Sequence, residues 1–197
     1  MKRIILASSS PRRQEILNKL GLSFEVVVSN FEENNPFNGL PPEDLVQQLA
    51  RGKAEVVARQ HPATLVIAAD TIVVLDGKVL GKPDSNAETA RMIKLLAGKS
   101  HEVYTAFALA EGSRMLCEVS KTTVWMRDIS EAEIETYAQT GEGNDKAGGY
   151  GIQDRGALFI EKIDGDYYSV VGLPVSRLAN RLKEFGIDLL QATLAGR

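Results

Sequence analysis

"IILASSSPRRQEIL", residues 4–17, takes an apolar strand straight into a helix. Ile4 to Ala7 form the unbroken apolar run of a buried strand, and three serines end it. Serine suits a helix cap and proline the first helical position, so a helix is predicted from Pro11 to Gly21. Strand followed at once by helix is how an α/β domain begins. Arg12 and Arg13 fit this start poorly, because the first turn of a helix is already electropositive. Two readings are open. Either the arginines simply reach solvent or a nearby carboxylate, or they await an anion. In the second case helix N–H groups, the hydroxyls of Ser8 and Ser10 and two guanidinium forks would together suit a phosphate.

The rest of the chain continues the alternation. "FEVVV", 24–28, reads as a second strand, 29–41 as a polar loop, and 41–60 as a helix with Leu45, Leu49, Val56 and Val57 at helical spacing. Gly52 inside that helix is a local flaw, costing about 1 kcal/mol relative to alanine. "TLVIAADTIVVLDGKVLGKP", 64–83, is β-rich with a hairpin turn at Asp76-Gly77. A helix is expected over 85–97, then β-runs over 101–111 and 114–127, and a helix opening at the capping box Ser130-x-x-Glu133. Residues 140–152 carry five glycines and no regular pattern. A last hairpin over 157–172 is expected to turn at Asp164-Gly165, with Pro174 opening a closing helix and a frayed tail after Asp188. Early alternation and later paired strands predict an α/β fold with a mixed sheet.

Composition narrows the function classes. The chain has 197 residues, 44% hydrophobic and 25% charged, with a formal net charge of -3. That balance suits one globular domain or two closely joined lobes, and predicts no general attraction to nucleic acid or anionic membrane. No apolar run approaches the length of a membrane span, and no signal pattern opens the sequence. Cys117 is the single cysteine, so no intrachain disulfide is expected and a cytoplasmic location is. Two histidines and one cysteine argue against an ordinary zinc site, and no G-x-x-x-x-G-K-[ST] or G-x-S-x-G motif occurs.

Chemistry can concentrate in three segments: Ser8 to Arg13, Asp70 to Lys82, and "DKAGGYGIQ" at 145–153. Asp70 interrupts an apolar β-run, and a buried carboxylate needs a lysine, backbone N–H groups or a metal ion; a strand-end aspartate at a turn is the plainer reading. Glu32 and Glu33 in the polar loop can join it around a hard divalent cation, which takes one or two carboxylates plus substrate phosphates. Lys82 and Lys146 lie beside glycine or proline, where backbone can approach a ligand, and Lys53 lies in a helix. Gathered with Arg12 and Arg13 they would make a local positive pocket for a polyphosphate. His61 reads as an exposed helix-end residue, His101 as a hydrogen-bonded structural histidine, and Trp125 and Met126 as a strand face in the core.

These segments together resemble the Maf family of nucleoside triphosphate pyrophosphatases, once described as septum-formation inhibitors. The likeness rests on "LASSSPRRQEIL", "AADTIVVLDGKVLGKP", "DKAGGYGIQ" and "IDGDYYSVVGLP", in that order, and spans 1–188, leaving 189–197 as a tail. The resemblance implies a single domain of two lobes with a central cleft. Its sheet would be mixed, elongated, twisted and flanked by helices, as in inosine triphosphate pyrophosphatases. It also implies hydrolysis of a nucleoside triphosphate to monophosphate and pyrophosphate, a divalent cation (Mg²⁺ or Mn²⁺) and a homodimer. By motif, Ser8, Ser10, Arg12, Arg13, Lys53, Lys82, Lys146 and Gln153 would bind substrate. Asp70 would be the catalytic carboxylate, and Asp70 with Glu33 would hold metal. Arg12, Thr71 and Gln153 resemble the set of members that prefer dTTP and UTP. Gly52 departs from the family, where many members have a bulkier residue before the lysine. A non-catalytic nucleotide-binding regulator of septum formation is the alternative, and phosphomonoester hydrolysis a third; the acidic Asp70 favours the enzyme over a sensor.

Overall fold

The computed structural model describes residues 2–32 and 39–191. In chain order the elements are β1 (Ile4–Leu6), α1 (Pro11–Lys19), β2 (Glu25–Val26), α2 (Pro42–Gln60), β3 (Leu65–Leu75), β4 (Lys78–Leu80) and α3 (Asn86–Leu96). They continue with β5 (Ser100–Glu111), β6 (Arg114–Met126), α4 (Glu131–Gln139), β7 (Ile160–Asp164), α5 (Tyr167–Val171) and α6 (Val175–Glu184). The strands form one seven-stranded sheet in the order β2-β1-β3-β5-β6-β7, with β4 paired to β3. β1 runs parallel to β2 and β3, while β4 and β7 pair antiparallel with β3 and β6, so the sheet is mixed as the alternation predicts.

The β3–β4 hairpin turns where expected: Asp76 and Gly77 both take positive φ, 49° and 74°, as a two-residue turn between twisted strands requires. Helix α4 carries the full capping box, Ser130 Oγ accepting from the Glu133 N–H and Glu133 from the Ser130 N–H. Two expectations fail. The segment after Asp164-Gly165 is the short helix α5, not a returning strand. Asp166 caps it, its carboxylate accepting from the Tyr168 N–H and the Ser169 hydroxyl, and β7 finds its partner in β6 instead. Trp125 does not lie in the core. Val124 and Met126 alternate with it into the buried face, and Trp125 turns outward beneath the Lys162 ammonium.

The chain divides into two compact units, Met1–Asp70 with Thr105–Ser120 and Gly172–Arg197, and Thr71–Tyr104 with Lys121–Val171. In the first, Ile5, Leu6, Leu17, Leu65 and Ile67 are fully buried, with α6 adding Leu178 and Leu182. In the second, Ile93 and Leu96 of α3 pack with Ile134 and Tyr137 of α4, Tyr150 and Phe159. Among the described residues no helix is long and apolar enough to cross a membrane.

Candidate active site

In the first unit the end of β1, the start of α1, the middle of α2 and the middle of β3 bring four of the expected residues together. Asp70 is the last residue of this unit's share of β3, and its Oδ2 accepts a hydrogen bond from the Lys53 ammonium of α2. Both side chains are largely withdrawn from water, at 20% exposure for Lys53 and 16% for Asp70. A carboxylate so placed needs its partner, and the helix supplies it. Arg13 lies close enough to Asp70 to be stabilised by its charge. Its Nε donates to the Gly172 carbonyl at 2.8 Å and its Nη1 to Ser8 Oγ at 3.1 Å. Burial pulls the Arg13 guanidinium below its ordinary pKa, Asp70 opposes that, and the neighbouring charge of Arg12 adds to it.

The helix start explains why Arg13 turns inward. Pro11 occupies the first helical position, and no acidic residue stands in the first turn. Ser10 takes the cap position with extended backbone, but its side chain makes no cap hydrogen bond, unlike the serines that open α3 and α4. Ser8 does the local organising. Its hydroxyl is buried and accepts from the Ser10 N–H at 3.2 Å as well as from Arg13. Arg12, Arg13, Lys53 and Asp70 together carry three positive charges and one negative, in a chain whose net charge is -3.

Thr71, Lys82, Lys146 and Gln153 belong to the second unit. Lys82 and Gln153 are exposed, while Thr71 is half-buried. The Gly148 N–H donates to the Gly81 carbonyl at 3.0 Å, which fastens the glycine-rich segment to the turn that carries Lys82. Lys146 is held within its own segment. Its ammonium donates to the Glu142 carbonyl and pairs with Asp145 at 2.8 Å, leaving its side chain 11% exposed. Glu33, expected as a metal residue, lies outside the described residues.

Two participants had no signature in the sequence. The Gly172 carbonyl holds Arg13 from a point 159 residues away, which no local pattern can announce. Glu142 sits in the glycine-rich segment, and its partners only become visible once the loop is closed. A third carried a signal with a different meaning. Gly52 is no idle flaw: a Cβ there would lie 2.3 Å from the Phe31 ring, so the glycine makes room for that ring on α2 beside Lys53.

The Maf-like protein family matches residues 3–185 of this chain. A Bacillus cereus protein named dTTP/UTP pyrophosphatase is 47% identical over 193 residues, covering 98% of this chain and 94% of that protein. A Bacillus anthracis protein of the same name is 46% identical, covering 98% and 100%. Among solved structures, a HAM1 protein from Coxiella burnetii superposes with a TM-score of 0.50 at 16% identity, covering 93% of this chain and all of that one, a likeness of fold alone.

Proposed function

The chain belongs to the Maf family, and from that premise we propose that it is a pyrophosphatase that hydrolyses dTTP and UTP to the monophosphate and pyrophosphate. The observation that carries this reading is Asp70, a largely buried carboxylate gripped by Lys53 and stabilising Arg13. A site built only to bind a triphosphate needs positive charge; a carboxylate at its centre works against the ligand unless it has a chemical task.

In the reaction, water attacks the α-phosphorus, the bond to the α–β bridging oxygen breaks, and pyrophosphate departs. Asp70 takes the proton from the attacking water, and Lys53 fixes the direction of that carboxylate. Arg13, locked by Ser8 and Gly172, and Arg12 beside it face charge growing on the phosphoryl oxygens and the leaving group. Groups fixed in this way need no reorganisation as charge develops, which is where most of the rate gain in such displacements arises. Lys82 is a further contact for the departing pyrophosphate. Gln153 would bond the pyrimidine edge, with Thr71 shaping the pocket.

Among the described residues no group of three or more histidine, cysteine or carboxylate side chains gathers to hold a metal. Asp70 together with triphosphate oxygens suits Mg²⁺ or Mn²⁺, which commonly take one or two carboxylates and complete their shell with phosphate and water. When bound, such an ion would withdraw electron density from the phosphoryl oxygens. We place this enzyme in the cytoplasm as a homodimer, the latter measurable by sedimentation.

The test is a product assay over the common nucleoside triphosphates and several modified pyrimidine triphosphates, with and without Mg²⁺. Pyrophosphate and monophosphate from dTTP and UTP are expected. Orthophosphate as the first product, or binding without turnover, would overturn the reading.

A further inference from the structure

The glycine-rich segment 140–156 is wound so tightly that backbone packs on backbone. A Cβ at Gly143 would lie 2.1 Å from the Gly149 carbonyl oxygen, and one at Gly156 would lie 2.5 Å from that of Gly151. Such a loop needs side chains to hold it closed, and Glu142 gathers several of the ties. The Glu142 carboxylate, 9% exposed, accepts from the Gly156 N–H at 3.0 Å, the Arg155 N–H at 3.1 Å and the Tyr137 hydroxyl at 3.2 Å. Tyr137, itself buried in α4, accepts in turn from the Gly151 N–H at 3.3 Å. The Glu142 carbonyl receives the Lys146 ammonium, and the Lys146 stem runs across Gly151, where a Cβ would come within 2.7 Å of its Cε. The two ends and the middle of the segment are therefore tied to Glu142 or Tyr137.

We propose that Glu142 is a positioning residue, a clasp that closes this loop and thereby sets where Lys146 and Gln153 stand. This rests on the reading above, in which Gln153 meets the pyrimidine edge, and on the substrate contact that the family resemblance implies for Lys146. A carboxylate suits the task because it accepts from two backbone N–H groups and a hydroxyl at once, whereas an amide would turn an NH₂ toward a donor. Hydrogen bonds to an ionised acceptor are also the stronger kind. Nothing in the chemistry of the reaction requires Glu142. Its loss should therefore loosen substrate binding, not the chemical step.

The experiment compares Glu142→Gln with Lys146→Met and Gln153→Ala in steady-state hydrolysis of dTTP at saturating Mg²⁺, with thermal unfolding measured alongside. Glu142→Gln should raise KM about tenfold, the equivalent of one charge-assisted hydrogen bond, with kcat held within about threefold. Combined with Lys146→Met it should add less than the product of the two single effects, since both act on one loop. Amide exchange at Arg155 and Gly156 should quicken in the variant. If Lys146→Met and Gln153→Ala raise KM while Glu142→Gln does not, the clasp is refuted and the substrate reading of the loop stands. If neither of those two variants moves KM, the substrate reading of the loop fails and the clasp loses its function with it. A fall in kcat in step with loss of folded protein would make Glu142 merely structural and also refute the proposal. Should Glu142→Gln not fold, Tyr137→Phe removes one donor to the carboxylate. It should raise KM by a smaller factor with kcat intact; an unchanged KM would overturn the clasp.

Discussion

Replacing a helical glycine by alanine ordinarily stabilises a protein by about 1 kcal/mol, and at Gly52 the structure predicts that this gain disappears. The new Cβ would lie 2.3 Å from both Cε2 and Cζ of Phe31 and 2.8 Å from Cδ2. Carbon atoms rest at roughly 3.5–4.0 Å, so the ring has to leave its seat. It is the tip of a side chain beside an open surface groove of about 490 Å³, so it can swing aside without straining the core. The cost is the burial the ring gives up. Fully burying a phenylalanine contributes roughly 1.5–3 kcal/mol, and Phe31 is only half-buried, so about 1–1.5 kcal/mol is lost. The two effects nearly cancel, leaving Gly52→Ala neutral to about 0.5 kcal/mol destabilising. In a Phe31→Ala background nothing occupies the seat, and the same substitution should stabilise by the full ~1 kcal/mol. Urea unfolding of the four proteins in the cycle, followed by circular dichroism, measures the difference as a coupling of about 1–1.5 kcal/mol. A gain of about 1 kcal/mol from Gly52→Ala in both backgrounds would show that Phe31 does not sit there, and the account of this glycine would be wrong.

Asp70→Asn should cut pyrophosphate release from dTTP by at least about a thousandfold while the protein stays folded, and near-wild-type turnover would remove Asp70 from its role. Lys53→Met leaves the Asp70 carboxylate without its ammonium. As both groups retain some exposure, unfolding should become easier by about 1–3 kcal/mol, less than for a fully buried pair, as read from a urea melt. His101 is buried, its Nε2 lies 2.7 Å from the Tyr150 hydroxyl, and burial lowers its pKa to about 4. The unfolded chain therefore takes up the proton first, so this residue makes stability fall as pH drops from about 6.5 toward 4, by up to ~3 kcal/mol. His101→Gln should flatten that part of the pH–stability curve, and an unchanged slope would contradict the assignment.

Much of the fold is legible because its signals are local. The strand–serine–proline start of α1, the Asp76-Gly77 turn and the Ser130 capping box each lie within a few residues and each forms where expected. The expected hairpin at 157–172 shows the limit. Asp164-Gly165 satisfies a turn pattern, yet the element after it is decided by the Asp166 cap on α5 and by pairing of β7 with β6. Trp125 leaves the core because alternation shows that neighbours face opposite ways, not which face is covered. The site divides along the same line. Arg13 and Asp70 stand out because each is an awkward residue where it is, and Lys53, ordinary in its helix, is marked out by the family resemblance. The Gly172 carbonyl and the Glu142 carboxylate are ordinary in sequence and become specific only through distant donors.

The serines and arginines of the α1 start divide the work between building the site and serving it. Ser8 commits its acceptor capacity to Arg13 and to the Ser10 N–H, so its part is to aim a guanidinium. Arg13, held at two points and partly withdrawn from water, loses some solvation there even with Asp70 nearby to support it. Its neighbour Arg12 adds like charge to that loss. Two adjacent arginines at the electropositive end of a helix suit a site that, on the proposed reading, takes a polyanion. On that reading a triphosphate brings several negative charges to both guanidiniums and the Lys53 ammonium, leaving Asp70 to act on water. The helix start and the aspartate are joined in this way: Lys53 and Arg13 set positive charge around Asp70, and on the proposed reading the same triphosphate meets the guanidiniums and gives the carboxylate its task.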